Sequence, residues 1–248
     1  VGCNRPSDLD RTVDNPRGYF ESTLLRPFND QLLGAAGYAW DCPPLTPIHW
    51  SQGRYLLQAI RRKSDFEAYA LGHSWVDKDP RLALTRPLYE HLLLKRIPCL
   101  FVIRNPFDVA RSLWLRDGFS QEKGLLIWLL YNRGCALGYD RDHDQLVSYE
   151  GLLSGETTHL DRLHQFLSPS LKNCGLYNDV SLEERILQVH REHTDQSLRR
   201  NQGKAYEENF LSHEPFSTAL RNHCFGIFEA LKNSSFAASE FISQFELL

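Results

Sequence analysis

The sequence predicts an α/β domain built on a mainly parallel sheet flanked by helices, with a helical C-terminal part. Two observations carry this. Short, unbroken apolar runs occur at PCLFVI (98–103) and DQLVSYE (144–150). Stretches with apolar residues three and four apart precede and separate them, as at 22–36, 82–94 and 106–116. Short buried strands alternating with helices of this length are the pattern of parallel sheets. The chain has 248 residues, 42% of them hydrophobic, which suits one domain spanning 1–248, of which 155–248 is the mostly helical part.

The elements follow in order. Residues 1–18 are polar and turn-rich, with a turn at Asn15-Pro16-Arg17-Gly18. STLLRPFNDQLLGAA (22–36) places Leu24, Leu25, Phe28, Leu32 and Leu33 on one helical stripe. DCPPLTP (41–47) is a loop, and a single helix is expected over 53–69. HSWVDKDPR (73–81) reads as a short strand ending in a polar turn, followed by a helix over 82–94. PCLFVI is the clearest strand, apolar throughout and so expected to be buried on both faces. Asn105 is a favoured N-cap and Pro106 a favoured first helical residue, so the strand ends at Arg104 and a helix begins at once. Helices are expected at 106–116 and 120–140, a strand at 144–150, and further helices to the end, with Ser181 and Glu184 forming a capping box and the last helices covering 216–246.

Composition removes several function classes. The 28 basic and 31 acidic residues leave a net charge of −3, so there is no footprint for nonspecific nucleic-acid binding. No apolar run reaches the length of a membrane span, and VGCNRPSDLD lacks the features of a signal peptide. Cys3, Cys42, Cys99, Cys135, Cys174 and Cys224 show no C-x-x-C spacing, which argues against a zinc site or a dense disulfide framework and for a reducing cytoplasm. No methionine occurs anywhere.

In parallel sheets ligands gather where strands end. Three exits are candidates. Arg104 lies beside the positive end of the following helix, and Ser112 and Arg116 share a stripe of that helix with Asp108. Together they can offer donors to a phosphate; an Arg–Asp surface pair on a solvated helix face is the competing reading. Lys78-Asp79-Pro80 follows the second strand, and taken alone it is a charged loop. Tyr149-Glu150 ends the strand at 144–150, where Tyr149 can present its ring face or its hydroxyl; taken alone it is an ordinary half-buried tyrosine.

In combination and order, these motifs resemble the PAPS-dependent sulfotransferases, especially the bacterial and tyrosylprotein-like branch. RNPFDVARSL (104–113) is similar to the family's 3′-phosphate element, Lys78-Asp79-Pro80 to its K-D-P motif, Tyr149-Glu150 to its downstream Tyr-Glu pair, and NPRGYFE (15–21) to its N-P-x-G-x-x-E segment. The resemblance covers roughly residues 12–155. It implies a P-loop NTPase-like sulfotransferase fold and transfer of a sulfuryl group from PAPS, with no metal, to a hydroxyl or amine on a glycan, lipid or small metabolite. It implies 3′-phosphate contacts from Arg104, Ser112 and Arg116, and Tyr149 near the adenine or phosphate. It implies Lys78 on the sulfuryl group or the leaving phosphate, and Glu21 as general base. It also suggests that Arg199 and Arg200 match a late basic patch near the cofactor, which a solvated helix end explains equally well.

Two departures matter. The family's 5′-phosphosulfate loop, of R-S-G-T-[ST] type, is absent; Ser154-Gly155-Glu156-Thr157-Thr158 lies after the Tyr-Glu pair and lacks the basic residue. The abrupt start and the lack of methionine suit an N-terminal segment beyond Val1 that carries the loop; true loss of the loop is the alternative. Cytosolic members place a His two residues after the motif Lys, where this chain has Pro80. His73, before the strand, is a poor substitute, and His193 reads as structural or at a rim. Two other classes compete: a P-loop nucleotide kinase, for which no Walker-type Lys or magnesium carboxylate is present, and a non-catalytic nucleotide-binding domain that kept the fold without the loop.

Overall fold

The computed structural model describes residues 3–4, 18–70, 74–173, 179–193 and 215–232, together with Ser243 and Phe245. These are mostly helical, with short parallel strands. The chain divides into two compact units: residues 1–97 with 130–138, and residues 98–129 with 139–248.

In the first unit, β1 (Cys3–Asn4) pairs in parallel with β2 (Ser74–Trp75). Around this pair lie α1 (Leu25–Ala35), α2 (Gly53–Arg61), α3 (Lys63–Ala70) and α4 (Leu82–Leu93). The stripe expected at 22–36 is the buried face of α1: Leu25, Phe28, Leu32 and Leu33 are all at most 3% exposed. They pack with Trp50, Tyr55, Ala59, Phe66, Leu88, Tyr89 and Leu92 into one core. Ser22 receives the Leu24 and Leu25 amides at 3.2 Å each, which satisfies two donors that the start of α1 would otherwise leave open. The single helix expected over 53–69 is two helices. Arg62 leaves helical geometry between them (φ −109°, ψ 10°), and its guanidinium reaches Asp65 at 3.0 Å and Gln31 of α1 at 2.7 Å.

In the second unit, β3 (Leu100–Ile103) and β4 (Gln145–Ser148) run parallel, with Leu100 opposite Gln145 and Ile103 opposite Ser148. α5 (Pro106–Asp117), α7 (Tyr149–Ser154), α8 (Thr157–Asn173), α9 (Asp179–His193) and α10 (Pro215–Lys232) complete it. The residues of α6 (Gln121–Leu137) are divided between the units, the first nine in the second and the rest in the first. Ala110 and Leu113 of α5 are buried, and Phe107 stacks on Phe225 of α10 at 5.7 Å. The core also takes in Leu125, Trp128, Leu129, Val147, Ile227 and Phe228.

The parallel pairing agrees with the sequence reading, but its extent differs. The described strands form two separate two-stranded ladders, not a continuous central sheet. β3 is not buried on both faces: Ile103 is buried, whereas Val102, whose side chain points to the opposite face, is 50% exposed. The strand expected at 144–150 stops at Ser148, and Tyr149 and Glu150 open α7 instead. Ser181 does not cap α9, which starts two residues earlier at Asp179, an acidic residue suited to a helix start.

Pro87 lies inside α4. It has no N–H for the carbonyl of Ala83, four residues back. Gly134 of α6 lies directly over that same oxygen: a Cβ there would sit 2.5 Å from it. The two backbones approach so closely here that a side chain at position 134 would force one of them to shift.

α4 ends at Leu94, which is in the left-handed region (φ 51°), is 87% exposed, and donates its N–H to Glu90. An L-residue there costs about 1–2 kcal/mol, while glycine loses about 0.5–1 kcal/mol in backbone entropy. Leu94→Gly is therefore expected to raise stability by up to about 1 kcal/mol, measured by urea unfolding. A loss of stability would show that the Leu94 side chain is held by contacts its exposure does not suggest.

Candidate functional site

The first strand exit is built as its sequence predicts. Asn105 caps α5, its side chain accepting from the Phe107 N–H at 2.9 Å. The Arg104 carbonyl accepts from the Trp128 indole at 2.8 Å, which fixes the backbone from which the side chain departs. The Arg104 guanidinium lies over the Tyr149 ring, 4.7 Å from its centroid. Its Nε is shut off from solvent and has no hydrogen-bond acceptor. A buried guanidinium N–H without an acceptor is costly, and its natural complement is an anion.

Glu150 explains why the two exits hold together. One carboxylate oxygen accepts from the Asn105 backbone N–H at 2.9 Å and the other from Ser148 Oγ at 3.0 Å. Ser148 Oγ in turn accepts from the Gly151 N–H at 3.2 Å, capping α7. Glu150 therefore ties the end of β3 to the end of β4 and places Tyr149 beneath Arg104. The sequence reading took Glu150 only as half of a motif; an acidic residue in the first turn of a helix was the available signal.

The rest of α5 contributes unevenly. Ser112 is half-buried on the stripe that begins at Asp108. Burial raises the Asp108 carboxyl above its usual range, and Arg104 pulls it down. Arg116 lies on the last turn, about 15 Å along the helix axis from Pro106, and pairs with Asp117 at 2.8 Å. The helix therefore does not bring Arg116 to the end where Arg104 sits. Arg199 and Arg200 lie outside the described residues, as does His73. Ser154 and Gly155 join α7 to α8, with Gly155 at φ 75° capping α7, so this stretch is a helix connection.

In the first unit, Glu21 and Lys78 are brought together. Lys78 Nζ donates to Glu21 Oε1 at 3.1 Å and to the Tyr19 carbonyl at 3.0 Å. Glu21 is 7% exposed, whereas the Lys78 side chain is 55% exposed. Phe20, just before Glu21, has φ 56°. A bulky residue in the left-handed region is strained, and such strain gathers where a side chain must be aimed.

Behind this pair runs a buried polar network that the sequence reading did not find. Arg81 contacts Asp79 at 3.0 Å, Asp30 at 2.6 Å and the far oxygen of Glu21 at 3.8 Å. Asp79 accepts from Asn29 Nδ2 at 2.8 Å. Asn29 Oδ1 accepts from Thr85 Oγ1 at 2.8 Å and from the Tyr89 hydroxyl at 2.6 Å. Burial, then Asp77 and Asp79, hold the Tyr89 phenol well above its usual range, so it remains a donor. The signal was present: Asn29 interrupts an apolar stripe at a position facing the core, between Phe28 and Leu32. On a different face of α4, Pro44, Pro47, Ile48, Trp50, Leu84 and Pro87 line a cavity of about 90 Å³.

Lys78 follows β2, which pairs with β1, and Arg104 follows β3, which pairs with β4. Among the described residues, no group of His, Cys, Asp and Glu is arranged to hold a metal ion, and no helix is long and apolar enough to cross a membrane. No protein-family model, no curated protein and no solved structure matches this chain.

Proposed function

We propose that this chain is a PAPS-dependent sulfotransferase that moves a sulfuryl group to a hydroxyl or amine acceptor, on the P-loop NTPase-like fold its motifs suggest. The observation that carries the reading is Arg104: a guanidinium at a strand exit, stacked on Tyr149, with a buried Nε that lacks an acceptor. A 3′-phosphate beside it, with Ser112 further along α5, would complete that donor, and the Tyr149 ring would lie near the adenine or the phosphate. Arg116, Arg199 and Arg200 remain assigned to the cofactor by resemblance alone.

The ion pair of Glu21 and Lys78 supports the chemistry. Lys78 has a solvent-facing ammonium that can turn from Glu21 toward the charge on the transferred group or the leaving phosphate. Glu21 is then free to take the acceptor's proton as the new S–O bond forms and the bond from sulfur to the 5′-phosphate oxygen breaks. Both products are accounted for: the sulfated acceptor, and PAP as the leaving group.

The test is the melting temperature of the full-length protein with PAP, measured beside ATP with magnesium. Stabilisation by PAP without magnesium supports the reading. Stabilisation by magnesium–ATP in its place points to a P-loop kinase, and PAP binding without transfer to any acceptor points to a binding domain; either result overturns the sulfotransferase assignment.

A further inference from the structure

The cavity beside α4 is used by nothing in the proposed chemistry. Its walls are stiff. Pro44, Pro47 and Pro87 have fixed φ, and Gly134 and Gly138 bring no side chain that can swing in to fill it. Trp50, which also lines it, is pinned by its indole N–H, which donates to the Leu84 carbonyl at 2.8 Å. The volume of about 90 Å³ is well above what one water needs and below the roughly 150 Å³ of a cavity that takes a benzene ring. That is room for an apolar group of a few carbons. A rigid apolar cavity left unfilled forgoes contacts along its walls, and a ligand of the right size gains them.

A cation stands at the same cavity. Arg133 lines it, and its guanidinium donates to the carbonyls of Pro44, at 3.4 Å, and Leu45. Both bonds come from Nη2, which leaves Nε and Nη1 without an acceptor among the described residues. Burial draws this guanidinium below its usual range, and no neighbouring charge counters it. Other arginines of the same unit are placed differently. Arg81, Arg86 and Arg96 each meet a carboxylate within 3.0 Å. Arg133 is thus a partly desolvated cation without a counter-charge, at the edge of an apolar space.

We propose that this cavity binds a short aliphatic carboxylate, its tail against Leu84, Pro87 and Leu130 and its carboxylate on the Arg133 guanidinium. Apolar walls supply the affinity for the tail, and one well-placed polar group fixes the orientation, as in small-molecule sites generally. The flat fork of a guanidinium matches the two oxygens of a carboxylate. The inference does not rest on the roles given to Arg104, Glu21 or Lys78.

The experiment is an NMR titration of the full-length protein, isotopically labelled at glycine, with sodium pentanoate, sodium acetate and pentan-1-ol. The reporters are the amides of Gly134 and Gly138, set against glycines that do not line the cavity. Pentanoate is expected to shift these two amides. Acetate should bind more weakly by about fourfold for each carbon removed, the factor for burying one CH₂. In Arg133→Gln, whose side-chain amide can still donate to the loop carbonyls, pentanoate should bind roughly tenfold or more weaker, since a charge-assisted bond is lost. Pentan-1-ol should bind the variant and the wild type alike. Equal affinity for acetate and pentanoate overturns the apolar subsite. Equal affinity of the two proteins for pentanoate overturns the role of Arg133. Pentanoate that leaves Gly134 and Gly138 unmoved overturns the site itself.

Discussion

Replacing Asn29 with alanine is expected to cost about 3–5 kcal/mol of folding free energy. The side chain is fully buried and joins three elements: α1, the loop after β2, and α4. Its removal leaves the Tyr89 hydroxyl without its acceptor and one oxygen of the buried Asp79 without its donor. Each unsatisfied buried group costs about 1–3 kcal/mol, more where it is charged. Thr85 suffers less, because its hydroxyl also reaches the Arg81 carbonyl at 3.1 Å. Asn29→Asp should be at least as harmful, since it sets a second carboxylate against Asp79. Urea unfolding of the two variants decides this, and a cost below about 1 kcal/mol for Asn29→Ala would show that water replaces the amide.

Arg104→Ala is expected to abolish the rise in melting temperature produced by PAP. Charge-assisted hydrogen bonds contribute about 1.5–3 kcal/mol, which is roughly 10- to 150-fold in affinity. Without PAP the variant should melt close to wild type. The side chain's contact with Tyr149 is worth about 0.5–1 kcal/mol at a partly exposed site, and removing a buried N–H that lacks an acceptor offsets part of that. Arg104→Lys should recover little, because an ammonium cannot lie flat on a ring and offer a fork at the same time. If Arg104→Ala binds PAP as tightly as wild type in a calorimetric titration, the exit of β3 is not the phosphate site.

The features legible in the sequence are those fixed by a few adjacent residues. Asn105 and Pro106 set the boundary between β3 and α5 because a cap and a preset φ act locally. The stripes of α1 and α4 were legible because burial imposes a period on the residues themselves. Features that depend on distant partners were not. The pairing of Cys3–Asn4 with Ser74–Trp75 joins segments some 70 residues apart, and two-residue strands have no periodicity to reveal them. The strand at 98–103 looked doubly buried because its composition is apolar, yet what covers a strand is decided elsewhere in the chain. Lys78 and Glu21 were each named through resemblance, with separate roles, and their ion pair is visible only in the structure. The network behind them involves Asn29, Thr85 and Tyr89, ordinary residues whose roles arise only when α1 and α4 pack together.

The tie made by Glu150 has a consequence for kinetics. The Asn105 amide proton is held by a carboxylate whose other oxygen is anchored at the start of α7. Exchange of that proton with solvent requires Glu150 to release the amide, and with it the tie between the two strand ends. A single backbone amide therefore acts as a clock for that tie, ticking at the rate at which Glu150 lets go.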